Sequence, residues 1–297
     1  MTMSVSRLDP ACLKCLIDKY MLVAPEGTPK TLQQTYIRRF LSLLVNAPEE
    51  CSAPVLLRDI RDLRSELYQQ HEDYGELKQH FNQLMLTQER WMSEQIEAAE
   101  DPLQCAVRLA MAGNYIDFGA QTQVEEPQLR ALLADPDLLA LHRHTLEELR
   151  RDVLRMKCMV YLTDNCGEIV ADKLLIRTLR RLNPSAEITA IVRGADALND
   201  ATLTDACQVH LEEEAHVIGN GSRIAGTWLP SLSAEARDLI ESADVILSKG
   251  QANFETLYGC GLNIYYLFLC KCDLFANRFR VKPLTGMLLN DRQLGEV

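Results

Sequence analysis

Apolar positions recur along this chain with two different periods, and the change between them falls near residue 157. Upstream, the spacing is helical almost throughout. Asp9-Pro10 offers an N-cap followed by proline at the first helical position, which predicts a helix from there to about Val23. Pro25-Glu26-Gly27-Thr28-Pro29 breaks it. Tyr36, Ile37, Phe40, Leu41 and Leu44 mark a second helix, and a third runs from Ser52-Ala53-Pro54 to about Gln70. The clearest stripe is Leu77, Phe81, Leu84, Met85, Trp91, Met92 and Ile96, one helical face over about seven turns. Segments 102–112, 126–134 and 137–156 continue the pattern, and no strand-like alternation interrupts it.

From residue 158 short apolar runs separated by polar turns take over. Runs at 159–163, 188–193, 215–218 and 244–248 read as strands, with helices at 172–182, 200–206, 233–242 and 253–260 between them. Ten of the fourteen glycines lie here, where strand–helix turns must be made. Strand–helix alternation predicts an α/β fold: a mostly parallel sheet with helices on both faces. The expected organisation is therefore a helical region, 1–157, which could pack as one unit with the rest, and an α/β region, 158–297.

The 297 residues are enough to bury a large core without disulfides. A net charge of −11 argues against a nucleic-acid partner, which calls for a basic footprint. It leaves anionic small molecules open, since one lysine and one metal ion reverse the local sign. The longest apolar run, Ile264 to Cys270, is far short of the roughly 20 residues that span a bilayer, so no membrane partner is expected. The N-terminus lacks the apolar core of a signal peptide, and ten cysteines in such a chain read as reduced thiols, making the cytoplasm the default location.

Three polar clusters follow three of the expected strands: Asp164-Asn165, Asn199-Asp200, and Lys249-Gly250-Gln251-Ala252-Asn253-Phe254-Glu255. A parallel sheet carries all three to one edge, where ligands of open α/β sheets bind. Two carboxylates and an amide oxygen are hard ligands of the kind Mg²⁺ or Mn²⁺ accept. A neighbouring lysine supplies a point charge for a phosphoryl oxygen, and the amides of the helix opened by Gly167 could face an anion. The chemistry that fits is hydrolysis of a phosphate ester, with a metal polarising the ester and lowering the pKa of a bound water. Taken singly, each cluster could equally be a helix cap or turn.

Together, Asp164-Asn165-Cys166-Gly167-Glu168, then Val192-Arg193-Gly194 with Leu198-Asn199-Asp200-Ala201-Thr202, then Ala243-Asp244-Val245-Ile246-Leu247-Ser248-Lys249-Gly250-Gln251-Ala252-Asn253-Phe254-Glu255 resemble the damage-control phosphatase family, long known as domain of unknown function 89. Ala112-Gly113-Asn114-Tyr115-Ile116-Asp117 and Leu269-Cys270-Lys271-Cys272 match as well, so the likeness covers nearly the whole chain in order. The resemblance implies a metal-dependent phosphatase of small phosphorylated metabolites, with a Rossmann-like α/β domain beside a helical companion. It implies Asp164, Asn165 and Asp200 as metal ligands for Mg²⁺ or Mn²⁺, with Co²⁺ and Ni²⁺ also fitting, and Lys249 and Asn253 as phosphate-holding residues. Asn199, Asn114 and Asp117 join the expected substrate contacts. Asp164, Asp200 and Glu168 are the expected catalytic groups. Relatives commonly carry alanine where Cys166 stands and often a proline near Ala195-Asp196.

Some features stay open at this level. Glu168 could orient the attacking water or cap its helix. Asn114 and Asp117 share one helix face and could meet substrate or lock a domain junction. Cys12-Leu13-Lys14-Cys15 could be a redox pair or half a metal site, with buried reduced thiols the simpler reading. His142 and His144 read as surface residues. A phosphoaspartyl mechanism through Asp164 is disfavoured by Cys166 at the position where a second aspartate is wanted. An S-adenosylmethionine-dependent carboxyl methyltransferase is a second alternative, but this chain has only Gly167 and no glycine-rich loop after the first strand; a binding protein without turnover is the third.

Overall fold

The computed structural model describes residues 8–116, 126–135, 139 and 141–294. Among these residues seven α-helices precede the first strand: α1 (Pro10–Tyr20), α2 (Lys30–Val45), α3 (Ala53–Tyr68), α4 (Gly75–Ala98), α5 (Pro102–Gly113), α6 (Glu126–Ala134) and α7 (Arg143–Val153). Asp9 caps α1 through the Ala11 amide (2.7 Å), and Asp101 caps α5 through Gln104 (3.1 Å), each followed by proline in the first turn.

The remaining chain alternates: β1 (Cys158–Leu162), α8 (Glu168–Leu182), β2 (Glu187–Val192), α9 (Leu203–Gln208), β3 (His216–Gly219), α10 (Ala234–Ser242), β4 (Val245–Lys249), α11 (Gln251–Leu257), β5 (Ile264–Leu269), α12 (Asp273–Phe279) and β6 (Gly286–Asn290). The strands form one sheet in the order β3-β2-β1-β4-β5-β6, parallel except for β6. The order reverses between β1 and β4, so the loops after those two strands flank the crevice that doubly wound sheets use for ligands.

Each strand sends alternate residues to opposite faces. Met159, Tyr161, Ala190, Val192, Leu247 and Leu267 pack under α4, α5, α7 and α8. Val160, Leu162, Ile191, Ile246, Tyr266 and Phe268 pack against α10, α11 and α12, where Phe254 lies edge-on to Tyr266 and Phe275. Helices α1, α2 and α3 build a smaller cluster around Tyr36, Phe40 and Ile60, joined to the rest through Ile224. The change of pattern near 157 is thus one of secondary structure. The apolar core does not stop there: it runs from Phe81 and Met85 of α4 through Leu175 of α8 to Leu288 of β6.

Two strands lie outside the expected set. The run Ile264–Leu269 is β5, buried along its whole length because β4 and β6 flank it and helices cover both faces. Helix α8 begins at Glu168, four residues before the expected start. Glu168, Asp172 and Lys173 interrupt its apolar stripe, yet all three are buried, each charge being matched by a partner from elsewhere.

Candidate active site

The turn after β1 and the turn after β2 are laced together by their backbones. The Cys166 amide donates to the Asn199 carbonyl (2.8 Å), the Ala201 amide donates to the Asp164 carbonyl (2.7 Å), and Asn165 and Asp200 form an antiparallel bridge. Arg193, next after β2, donates its amide to Ala201 (2.9 Å), closing the turn 193–201. Leu198 takes a left-handed conformation within it (φ 53°), an uncommon choice for a bulky side chain, and so presents Asn199-Asp200 to the other loop.

This lacing collects Asp164, Asn165, Asn199 and Asp200 in one buried cluster. Asn165 Nδ2 donates to Asp164 Oδ2 (2.6 Å) and Glu168 Oε2 (3.0 Å), while its oxygen accepts from Asn199 Nδ2 (2.9 Å). Asn114, at the end of α5, donates to Asp164 Oδ2 (3.1 Å) and to both oxygens of Glu168 (3.0 and 2.9 Å), and it accepts from the Leu269 amide (2.9 Å). One asparagine thereby pins the helical region to the strand ends. Asp117 lies outside the described residues.

Gly250, the residue after β4, stands directly behind Asp164. A Cβ built there would fall 1.9 Å from Asp164 Oδ2, and φ is +80°, so only glycine fits. The fully buried Arg193 lies between the two carboxylates: Nε donates to Asp200 Oδ2 (2.6 Å) and Nη2 stands 3.6 Å from Asp164 Oδ1. Nη1 reaches Thr227 Oγ1 (3.2 Å), but buried Nη2 has no hydrogen-bond partner.

Below this cluster is a water-excluded network of charges. Lys249 Nζ, fully buried, donates to Glu168 Oε1, to Asp172 Oδ1 (2.7 Å) and to the Ala110 carbonyl (3.0 Å). Tyr161 also donates to Asp172 Oδ1 (2.8 Å). Burial, opposed by Lys249 and reinforced by Glu168, pushes the Asp172 carboxyl up to about 7. The Lys249 ammonium is held above its usual range: burial opposes the charge, but the Asp172 and Glu168 carboxylates outweigh it.

Several expectations meet this geometry differently. All three N–H donors of Lys249 are committed inside the protein, so reaching a substrate phosphate requires releasing a partner. Asn253 is also fully buried; it donates to the Thr163 and Lys249 carbonyls (3.0 and 2.7 Å) and accepts from Thr227, tying the end of β1 to the end of β4. The start of α8 is closed to anions: Gly167 gives its amide to Asn82 Oδ1 (2.6 Å) and Ile169 gives its own to the Asn165 carbonyl (3.3 Å). Glu168 is not a solvated helix cap but the counter-charge of Lys249, in contact with Asn114 and Asn165.

Arg193, Thr227, Asp172 and Gly250 belong to the arrangement and were not singled out from the sequence. Arg193 had left a signal, a cation placed directly after an apolar strand. The cysteines form no disulfide; Cys15 is exposed, Cys12 half-buried and Cys270 buried. Burial, with Glu255 and Cys272 close by, pushes the Cys12 thiol up to about 12, so it is a neutral thiol at ordinary pH. His142 and His144 lie at the exposed start of α7.

Among the described residues no group of three His, Cys, Asp or Glu side chains could hold a metal ion. The donor set at the crevice is instead two carboxylates with an asparagine. Such a set suits Mg²⁺ or Mn²⁺, which keep positions for water and a phosphate oxygen, and it does not suit a thiophilic metal.

A doubly wound α/β protein with an acid-amide cluster at its switch point is the class this fold and site define. The damage-control phosphatase ARMT1-like domain model matches residues 8–284, and the chain belongs to that family. A damage-control phosphatase of Archaeoglobus fulgidus is 30% identical over 278 residues, covering 91% of this chain and 94% of its own. Damage-control phosphatase PH1575 of Pyrococcus horikoshii is 35% identical over 181 residues, 60% of this chain and 61% of its own. The crystal structure of PH1575, a DUF89 family protein, superimposes with a TM-score of 0.74 at 26% identity, covering 96% of this chain and 99% of that one. Among the described residues no helix is long and apolar enough to cross a membrane.

Proposed function

We propose that this protein is a metal-dependent phosphatase that hydrolyses phosphate monoesters of small metabolites. Family membership and relatives named damage-control phosphatase support the enzyme class. The observation that carries the finer reading is the pairing of Asn165 with Asp200, which gathers Asp164, Asn165 and Asp200 at the switch point from two separate loops. These three residues would hold the cation. A bound divalent cation supplies a Lewis acid that polarises the phosphoryl group and lowers the pKa of water.

The chain's own groups supply the rest. Asp164 and Asp200 place negative charge where the cation is wanted, and Gly250 leaves the room that the Asp164 carboxylate occupies. Arg193 balances those carboxylates and has an unpartnered buried N–H, at Nη2, to offer a phosphoryl oxygen. Asn114 and Glu168 fix the Asp164 and Asn165 side chains by hydrogen bonds. Glu168, paired with Lys249 and in contact with Asn165, serves to position. Screening the purified protein against sugar phosphates, nucleotides and cofactor phosphates, adding Mg²⁺, Mn²⁺, Co²⁺ and Ni²⁺ in turn, tests the reading. Metal-stimulated phosphate release from at least one ester class is expected; failure of the whole panel with every metal would favour a binding protein without turnover.

A further inference from the structure

A polar cavity of about 130 Å³ opens between α3 and the loops that follow β2 and β3. At roughly 30 Å³ per water molecule this is room for about four waters, enough for a phosphate or carboxylate group. Its walls carry Arg58, Arg61, Arg64 and Arg223. Four guanidinium groups in one small cavity stand out in a chain of net charge −11.

The lining also contains Asp62, Glu72 and Asp196, and the ion pairs among these groups decide what remains available. Glu72 is shared by Arg61 (3.1 Å) and Arg64 (2.8 Å), and Asp62 is paired with Arg223. Arg58 turns to Asp59 (2.6 Å), which does not line the cavity. Asp196 is largely exposed to solvent. Each guanidinium has five N–H donors, and these pairs use one or two. Arg64 Nε is buried with no hydrogen-bond partner, a donor already removed from water.

The cavity and the acid-amide cluster share one loop, the turn after β2. Asp196, on the cavity wall, lies in the turn from Arg193 to Asp200. That turn is bound to the loop carrying Arg223: the Gly194 amide faces the Ser222 carbonyl (2.9 Å) and Asn220 Oδ1 (2.8 Å). Asp196 on the cavity wall and Asp200 of the cluster thus lie on one turn, braced against the loop that carries Arg223.

We infer that the arginine-lined cavity is a subsite for a second anionic group on the substrate, so that the preferred esters are small molecules carrying another phosphate or carboxylate besides the one hydrolysed. The inference rests on the phosphatase reading for the identity of the first group, but not for binding. The test compares glucose 1,6-bisphosphate with glucose 1-phosphate on wild type, Arg64→Gln and Arg223→Gln, with circular-dichroism melts to check folding. Arg223 is half exposed, so its replacement keeps the test alive if Arg64→Gln fails to fold.

The expected result is a KM for the bisphosphate raised about tenfold in Arg64→Gln and several-fold in Arg223→Gln, with kcat and the monophosphate KM unchanged. Equal effects on both esters, or on neither, overturn the subsite. Calorimetry of glucose 1,6-bisphosphate without added metal separates the two claims. Weakened binding in the variants with no turnover of any ester would keep the subsite and remove the phosphatase reading. Absent binding in wild type, or identical isotherms, would remove the subsite. Inorganic phosphate titrated alone distinguishes a free-anion effector: arginine-dependent binding that alters monophosphate turnover, without any preference for the bisphosphate, overturns the assignment to substrate.

Discussion

Asp164 is held on every side by groups that fix its carboxylate: Asn114 and Asn165 donate to one oxygen, Arg193 stands near the other, and Gly250 leaves the space behind it. The cheapest way to disturb it is a single methyl group. Gly250→Ala places a carbon on the carboxylate and forces a left-handed backbone on alanine. Since misplacement by about 1 Å at a reacting centre costs about a hundredfold, phosphate release should fall by at least that factor, measured under saturating metal. Wild-type rates in the folded variant would mean that this carboxylate does not need its position. Asp172 gives a second prediction. Its carboxyl is pushed up to about 7 in the folded protein from an unfolded value of 3.8. Stability from this group is therefore complete below about 4 and is lost as pH rises through 7. In Asp172→Asn that component is absent, so the melting temperature of the variant relative to wild type should climb between pH 4 and 7. A difference that stays flat, or falls, contradicts the raised value. The gathering of Asp164, Asn165 and Asp200 was legible because polar clusters follow several apolar runs, and a parallel sheet carries such turns to one edge. Arg193 and Asp172 were not, because their partners lie far away in sequence: no local pattern says that Arg193 reaches Thr227 or that Asp172 reaches Lys249.

At the scale of elements, α4 and α8 meet over one side chain. Asn82 accepts from the Gly167 amide and donates to Asp205 (2.9 Å) and Gln208 (2.9 Å), joining the start of α8 to α9. Asp205 in turn closes a capping box with Thr202, two residues from Asp200. Asn82→Ala leaves a buried amide unmatched and should cost about 1–3 kcal/mol, read from the shift in urea midpoint. A loss below about 0.5 kcal/mol would show that water replaces the amide there. The same elements show how far pattern reading reaches. The long stripe of α4 and the capped start of α1 were plain: burial on α4 falls on one helical face, and Asp9-Pro10 announces the cap. β5 was not, although its run is as continuously buried as that of β4. The first turn of α8 was hidden because buried charges look like a solvated face until their partners are known.

Across the whole molecule, α4, α5, α7 and α8 share one apolar cluster with the sheet, so these helices and the sheet have no separate cores to lose, and the smaller cluster of α1, α2 and α3 joins the rest through Ile224. Denaturant unfolding should follow a single transition by both tryptophan fluorescence and circular dichroism, and a fragment of residues 158–297 alone should fail to show it. Two resolved transitions, or a cooperative fragment, would contradict a shared core. The central claim concerns the crevice at the switch point, and one measurement bears on it most directly: phosphate release by wild type and Asp164→Asn, each assayed with Mg²⁺ or Mn²⁺ and again after chelation. The expected outcome is release that disappears on chelation, returns with metal, and drops about a thousandfold or more in a variant whose melt remains cooperative. Release indifferent to chelation, or an Asp164→Asn variant as active as wild type, would show that the two loops were brought together for some other purpose.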